Sequence, residues 1–189
     1  IDAHGRLIAQ SGEDHPFHII PVAWSVSGLL DKGIEVTPDT LFLHNDPYTG
    51  GTHLNDVAIV YPVFFPDDAG RKDRAAFFIV LRAHWADIGG MTPGSLSGNA
   101  REILQEGLRL NHVPVPKSGE SPVMDLIFDN VRVTREARAD FHAGIGTCRV
   151  AEQRLLQVLD KYGLNVVQAA ADELLDAAER RMRAAINTV

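Results

Sequence analysis

The chain has 189 residues, a mass of 20.7 kDa and a formal net charge of −7, a size typical of one ordinary domain or two small ones. Its 45% hydrophobic and 23% charged residues are typical of globular proteins, and its acidic balance argues against nonspecific binding to nucleic acid or to anionic membranes. No apolar run approaches the roughly 20 residues of a transmembrane helix, and the single cysteine, Cys148, excludes an internal disulfide and favours a reducing compartment, which we expect to be the cytoplasm.

The N-terminal segment predicts a hairpin that is entered halfway. Ile1-Asp2 and Leu7-Ile8-Ala9 are apolar enough for two short strands, and Gly5 supplies the turn between them. Because a further partner strand is missing, we expect the chain to be a piece of a longer protein. A helix is predicted next, around Val22–Lys32, and Gly33 ends it.

The region from residue 36 onward predicts β structure. Leu41-Phe42-Leu43 is a short apolar strand, and Val57–Phe65 and Ala75–Ala83 predict a hairpin over 57–83 with a charged, solvated loop. Pro62 places the first of these two strands at a sheet edge or at a bulge, because proline cannot donate to a ladder.

The rest of the chain predicts an irregular loop and then helices. Residues 89–100 are rich in glycine and proline, which is typical of functional or mobile loops, and 118–122 is the best linker candidate. Tyr162-Gly163 ends a first helix and Asn165 is its successor's predicted N-cap. The second helix has an apolar stripe that predicts core or subunit packing, formed by Val167, Ala170, Leu174, Ala178, Met182 and Ala185.

These elements predict a mixed α+β fold, with a β-rich first two-thirds and a helical C-terminal third. We expect a β-rich metal-site region at 1–120 and a helical region at 121–189, both within the same larger domain.

Two copies of the pattern His-x-x-Asp stand out among the eight histidines. His53 precedes Asp56 at the start of the strand 57–65, and His84 precedes Asp87 at the end of the strand 75–83. A spacing of three brings two side chains together only in a turn, since in a strand they point to opposite faces. If the two strands pair antiparallel, both pairs converge on one spot.

Two imidazoles and one or two carboxylates are a ligand set for Zn²⁺, Mn²⁺ or Fe²⁺. Taken singly, either pair is more often a histidine held by a structural carboxylate. Both pairs together, flanked by the glycine turns 50–51 and 89–90, make a metal site and the structural alternative equally probable.

Other candidates carry weaker signals. His44-Asn45-Asp46 could line the same site, although ordinary turn chemistry explains it better, and His15 and His18 are either supporting residues of the site or surface residues. Glu102 and Glu106 are predicted on a short helix, where Glu106 is a candidate general base and a surface glutamate is the more common explanation. Cys148 is expected to be a buried small hydrophobe.

Two long motifs resemble the signatures of the hydantoinase B/oxoprolinase family. The first is His44-Asn45-Asp46-Pro47-Tyr48-x-Gly50-Gly51-Thr52-His53-Leu54-x-Asp56-Val57, and the second is Arg82-Ala83-His84-x-Ala86-Asp87-Ile88-Gly89-Gly90-Met91-Thr92-Pro93-Gly94-Ser95. The segment Glu102–Arg109 and the helical tail are similar too, so that the resemblance covers essentially the whole chain.

The resemblance implies a B-type subunit of an ATP-dependent enzyme complex. Such a subunit acts with an A-type partner that binds ATP, and the reaction opens a cyclic amide such as a hydantoin or 5-oxoproline. In the carboxylase branch the B-type subunit holds a divalent metal (Mn, Zn or Fe), whose ligands match His53, Asp56 and His84. Asp87 and Glu106 are then the candidate catalytic residues, with Asp87 also able to complete the metal shell.

The chain departs from the family pattern in two ways. Family members are much longer, and a further ligand, an upstream glutamate, lies in a segment that this chain lacks. Many relatives have histidine where this chain has Trp85, which we expect to add an aromatic wall and to favour an apolar or aromatic substrate. Two alternatives to the cyclic-amide hydrolase therefore stay open: a ketone carboxylase subunit of the acetone or acetophenone type, and a non-catalytic assembly piece.

Overall fold

A four-stranded antiparallel sheet is the centre of the structure, a computed structural model that describes residues 1–12, 16–67 and 69–188. The sheet has the order β3-β2-β1-β4 and consists of β1 (Thr40–His44), β2 (Asp56–Val63), β3 (Phe77–His84) and β4 (Asn111–Pro116). The helices are α1 (Ile19–Asp31), α2 (Pro122–Asp129), α3 (Thr134–Tyr162) and α4 (Leu164–Ile186). This arrangement confirms the α+β fold, with the sheet in the first two-thirds of the chain and helices in its last third.

Helices cover both faces of the sheet. On one face, Val26 and Leu29 of α1 pack against Phe42, Val60 and Phe78. The opposite face forms the larger core with α2 and α3, to which Met124, Phe128, Phe141 and Ile145 contribute. Every residue of β2 is buried, because a central strand covered on both sides has no solvent-facing positions. The regions 1–120 and 121–189 share this core, and their division stays a prediction.

The predicted hairpin 57–83 is confirmed, but Pro62 does not mark an edge or a bulge. β2 is an inner strand, and Pro62 pairs in regular register with Phe78. The backbone N–H and C=O of Phe78 both bond to Ile1, so that the backbone groups of Pro62 face β1 by antiparallel alternation. The pairing of β1 with β2 ends at Phe42–Val60, and Lys117 Nζ donates to the Pro62 carbonyl at 2.7 Å. The N–H that Pro62 lacks would therefore have had no partner strand to donate to, and the sheet loses no hydrogen bond.

The N-terminal prediction is half right. A turn does follow Ile1-Asp2, because the Asp2 carboxylate accepts hydrogen bonds from the backbone N–H groups of His4 and Arg6. Asp2 also forms a single antiparallel β-bridge with Phe77, the first residue of β3. The second strand, predicted at Leu7–Ala9, is wrong: these described residues have no strand partner.

The helices differ from prediction mainly at their ends and faces. α1 ends near Gly33 as expected, and α3 ends at Gly163, whose N–H donates to the Leu159 carbonyl. The cap predicted at Asn165 is wrong, since α4 already begins at Leu164. The apolar stripe of α4 is rotated as well: Ala171 is buried, whereas Leu174 and Met182 are 61% and 63% exposed.

β4 is a strand that the sequence did not predict. Pro114 and Pro116 lie within it, which an edge strand tolerates because every second N–H points away from the sheet. The linker candidate 118–122 is the turn between β4 and α2, where Ser121 accepts the Met124 N–H and caps the helix. In the part of the chain that the structure describes, no helix is both long and apolar enough to cross a bilayer.

Candidate functional site

The two strand ends named by the sequence meet as predicted. Asp56 at the start of β2 pairs directly with His84 at the end of β3. His53 lies in the turn before β2, which the hydrogen bond from the Asp56 N–H to the His53 carbonyl closes at 3.0 Å. One ligand atom each from His53, Asp56 and His84 lies within 4.8 Å of the others.

Strand alternation decides which side chains reach this site. Asp56, Arg82 and His84 share the face of the sheet that α1 covers, because side chains two residues apart point the same way. Trp85 follows His84 and points to the opposite face, where it is buried and stacks on Phe128 at 6.0 Å between ring centroids. The expectation that Trp85 forms an aromatic wall of the site is therefore wrong.

The two oxygens of Asp56 have different surroundings. Oδ1 lies 3.3 Å from His53 Nε2 and 3.2 Å from His84 Nδ1. Oδ2 accepts a hydrogen bond of 2.6 Å from the Thr52 hydroxyl and lies 3.3 Å from His18 Nε2. The carboxylate thus turns one oxygen toward the pair of exposed imidazoles and the other toward the interior.

Hydrogen bonds and neighbouring groups favour an ionised Asp56 in spite of its burial. Burial alone would raise the pKa of this carboxyl, but the hydrogen bond from Thr52 and the neighbouring His53, His84 and His18 outweigh it, and the pKa lies below its usual range. The side chains of His53 and His84 are 41% and 52% exposed, whereas that of Asp56 is 2% exposed. A buried anion therefore underlies two imidazoles that are open to solvent.

The donor atoms fit a divalent transition-metal ion. Two imidazole nitrogens and one carboxylate oxygen suit Zn²⁺, Mn²⁺ or Fe²⁺. Ligand atoms about 2.0–2.1 Å from a tetrahedral ion lie about 3.3 Å apart, and the separations between Oδ1 and the two nitrogens are 3.3 and 3.2 Å. The contact between His84 Nδ1 and Oδ1 also has the geometry of a hydrogen bond, so that the same pair of atoms can hold each other in place without an ion.

Asp87 does not join this group, although the sequence predicted that the second His-x-x-Asp pair would converge with the first. It is buried, and its oxygens accept four hydrogen bonds: from the N–H groups of Gly89, Gly94 and Arg132 and from the Arg132 guanidinium. Arg132 also donates to the carbonyls of Gly89 and Gly90. Asp87 therefore helps to hold the glycine-rich loop in place, while its catalytic role stays a prediction.

Glu106 also lies outside the group of three residues. The predicted helix is a single 3₁₀ turn, Ile103–Gln105, with Glu102 as its N-cap and Glu106 as its C-cap. The Cβ that a side chain would place at Gly90 meets the backbone of Glu106 at 2.6 Å. The glycine loop therefore packs tightly on this turn, while a catalytic role of the half-buried Glu106 stays a prediction.

His44 stacks on His112, with ring centroids 4.1 Å apart, and is not one of the three residues whose ligand atoms converge. Neither ring nitrogen of the fully buried His44 meets a partner in normal hydrogen-bond geometry among the described residues, and a looser contact with the Thr49 backbone opposes the lowering of its pKa only weakly. Burial, the neighbouring His112 and nearby cations lower the pKa of His44 to about 3, so that its ring is neutral. Asp46 accepts the Tyr48 N–H, which is the ordinary turn chemistry that the sequence favoured.

The sequence missed the polar network beneath Asp56. It named His18 as either a supporting or a surface residue, and His18 is buried beside the carboxylate, whereas His15 lies outside the described residues. Thr52 and Arg82 appear in the motifs, but without a register nothing marks Thr52 as a partner of Asp56 or Arg82 as a partner of Thr52. Cys148 is buried as expected, and burial raises the pKa of its thiol to about 12.

A family model described as hydantoinase B/oxoprolinase matches residues 1–189. The chain is 35% identical over 183 residues to the beta subunit of a caprolactamase from Pseudomonas jessenii, covering 94% of this chain and 30% of that protein. It is 33% identical over 193 residues to the B-type subunit of a putative D-/L-hydantoinase from Pseudomonas sp. (strain NS671), covering 98% and 32%. The chain thus spans about a third of the length of these curated relatives.

Solved structures agree with these sequence matches. The crystal structure of the ATP-dependent caprolactamase from Pseudomonas jessenii superposes with a TM-score of 0.84 at 34% identity, over 97% of this chain and 31% of that chain. A nucleotide-free structure of acetone carboxylase gives a TM-score of 0.73 at 19% identity, over 83% of this chain and 21% of that one. At that identity the second likeness concerns the fold alone.

Proposed function

The chain belongs to the hydantoinase B/oxoprolinase family, and on that premise we propose that it supplies a divalent-metal centre to an ATP-dependent enzyme that opens cyclic amides. The centre consists of His53, Asp56 and His84. The observation that carries the proposal is the convergence of their donor atoms on the exposed side of one buried carboxylate oxygen.

Asp56 and the two histidines have different roles at this centre. Asp56 supplies the fixed negative charge, and the low pKa of its carboxyl keeps it ionised at neutral pH. His53 and His84 supply imidazole nitrogens from two different backbone segments, a turn and a strand end, and their partial exposure leaves room for a small molecule. A bound divalent ion would act here as a Lewis acid on the amide carbonyl or would activate water.

The names of the relatives support the substrate class. The relatives with 33–35% identity are named as a caprolactamase subunit and a putative hydantoinase subunit, and caprolactam and hydantoin are both cyclic amides. Since the caprolactamase is described as ATP-dependent and both relatives are subunits, we infer an A-type partner that binds ATP and a hetero-oligomeric complex. Ketone carboxylation is the weaker alternative, because acetone carboxylase shares only the fold.

Metal content is the first test. We expect near-stoichiometric Mn, Zn or Fe in the purified protein by elemental analysis, and loss of that metal in His53→Ala and in His84→Ala. His142→Ala is the matched control, since His142 is a comparably exposed histidine on α3 that faces Glu120. Metal retained in both site variants, or lost equally in the control, would refute the assignment.

Activity is the second test, made with the A-type partner and ATP. We expect ADP release coupled to an open-chain amino acid, followed by mass spectrometry over a panel of a lactam, a hydantoin and 5-oxoproline, and no turnover with His53→Ala or His84→Ala. Carboxylation of a ketone with bicarbonate, in the absence of any ring opening, would replace the hydrolase by the carboxylase. A complex that binds metal but turns over neither class would support the non-catalytic assembly piece.

A further inference from the structure

The polar network behind Asp56 extends the proposed function, on which the following inference rests. We propose that Thr52 is a positioning residue: anchored by Arg82 and assisted by His18, it holds Oδ2 of Asp56 so that the carboxylate presents only Oδ1 to the metal.

The hydrogen bond between Thr52 and Asp56 is the core of this network. At 2.6 Å it is the shortest contact of the carboxylate, and a hydroxyl that donates to an anion makes one of the stronger hydrogen bonds in proteins. A carboxylate that is free to rotate can bind an ion through either oxygen or through both. With Oδ2 occupied by Thr52, the metal meets one oxygen, and more coordination positions stay open for substrate and water.

Arg82 fixes the direction of the Thr52 hydroxyl. Its Nη1 donates to Thr52 Oγ1 at 3.1 Å, and because that oxygen accepts from Arg82, its proton is available to Asp56. The other terminal nitrogen, Nη2, donates to Ser25 Oγ at 2.7 Å and to the carbonyls of Pro21 and Gly50 at 3.3 Å. Arg82 therefore joins α1 to the turn before β2. Contacts with both elements fix its guanidinium, and the guanidinium in turn fixes the Thr52 hydroxyl.

His18, at the start of α1, is the second polar neighbour of Asp56 Oδ2. It stands directly before α1, is 5% exposed, and its Nε2 lies 3.3 Å from Oδ2. The interior oxygen of Asp56 therefore has two polar neighbours from two segments, and both leave Oδ1 to the exposed imidazoles. This division of one carboxylate between interior and solvent is what an oriented metal ligand requires.

The test compares Thr52→Val, which keeps the side-chain shape and removes the hydroxyl, with Thr52→Ser, which restores the hydroxyl. Thr49→Val is the matched control, because Thr49 lies in the same turn region but its hydroxyl donates to Asn111. Mn²⁺ is titrated into each metal-free purified protein, and free Mn²⁺ is followed by its EPR signal. We expect Kd to rise about 10- to 100-fold in Thr52→Val, and to stay close to the unsubstituted value in Thr52→Ser and in Thr49→Val.

Further readouts separate positioning from folding. Thermal unfolding must show that Thr52→Val is folded at the titration temperature, and the EPR spectrum of bound Mn²⁺ must change in Thr52→Val and revert in Thr52→Ser. An unchanged Kd in Thr52→Val, while His53→Ala and His84→Ala lose the ion, overturns the positioning role and leaves the proposed function standing. Absence of saturable binding in the unsubstituted protein overturns both.

Discussion

Asp87→Asn is the substitution that most sharply separates a structural from a catalytic carboxylate. The carboxylate accepts three backbone N–H groups and the Arg132 guanidinium at 2.8–3.1 Å. An asparagine keeps only one of the two oxygens. Its NH₂ group would face N–H groups whose hydrogen bonds it cannot accept, and the Arg132 guanidinium would lose the negative charge that it faces.

The magnitude follows from these contacts. Breaking a buried, hydrogen-bonded ion pair by removing one charge costs about 3–5 kcal/mol, and each hydrogen bond to a charged group contributes about 1.5–3 kcal/mol. Because the Arg132 side chain is 41% exposed, water can solvate its charge when the carboxylate is removed. We therefore expect Asp87→Asn to lower the free energy of unfolding by about 3 kcal/mol, the low end of that range. For a chain of this length that corresponds to about 10 °C in Tm.

The pH dependence gives an independent check. Burial would raise the pKa of Asp87, but the hydrogen bonds from Arg132, Gly89 and Gly94 outweigh it, and the pKa lies below the ordinary value of 3.8. A carboxyl with a lowered pKa stabilises the fold above its ordinary pKa, and this stabilisation disappears as the pH falls through the value in the folded protein. The stability gap between the unsubstituted protein and Asp87→Asn should therefore narrow below about pH 4.

The assay combines urea unfolding with a Mn²⁺ titration at a temperature where both proteins are folded. We expect Asp87→Asn to be destabilised with its metal affinity kept, and Asp129→Asn, an exposed carboxylate at the end of α2, to be close to neutral. A variant of normal stability that no longer binds metal would refute the structural role and return Asp87 to the ligand set that the sequence suggested.

Three further predictions concern the framework of the site. His44→Phe should stabilise the protein in urea unfolding, because it keeps the stack on His112 and removes two buried ring nitrogens that lack a partner in normal hydrogen-bond geometry. The unfolded chain binds a proton at His44 below pH 6.5, whereas the folded protein, with a His44 pKa of about 3, does not. The gain in the free energy of unfolding should therefore grow by about 2 kcal/mol from pH 8 to pH 5. Gly90→Ala should cost at least about 1–3 kcal/mol, since Gly90 has φ +83° and its Cβ would meet the Glu106 backbone at 2.6 Å, while Gly98→Ala has open space and should be nearly neutral in the same thermal scans. Phe128→Ala should cost about 3–5 kcal/mol in urea unfolding, because the ring is fully buried between Trp85 and Phe141; a smaller loss would show that the core collapses onto the cavity.

The parts of the site that the sequence predicted are those set by a single hairpin. His53, Asp56 and His84 meet because two apolar runs pair antiparallel, and two apolar runs separated by a charged turn are a local signal. Asp87 was misplaced because the pattern His-x-x-Asp does not show where its carboxylate points. Its partner Arg132 is 45 residues further along the chain, and no spacing rule connects the two.

The difference between local signals and contacts of distant residues also explains which parts of the fold were predicted. Helix α1 and the strand β1 carry local signals and were found, whereas β4 was missed because its prolines disfavour strands in general and only its edge position permits them. Pro62 was misread because its nitrogen faces β1 beyond Phe42–Val60, where the pairing of β1 with β2 ends, and the sequence does not show that register. The supporting residues of Asp56 come from three segments, so that only the register of β2 with β3 and the docking of α1 reveal them.

The hairpin of β2 and β3 also separates the candidate metal ligands from the exposed part of the connection between the two strands. The candidate ligands stand where the chain enters β2 and leaves β3, whereas the connection 64–76 lies eight strand residues away, about 26 Å at 3.3 Å per residue. Residues 70–74 of this connection are exposed. A fluorophore attached through cysteine at Lys72 would therefore report on complex assembly or on global unfolding while remaining outside the reach of any ion at His53, and Cys148, being buried, would not compete for the label.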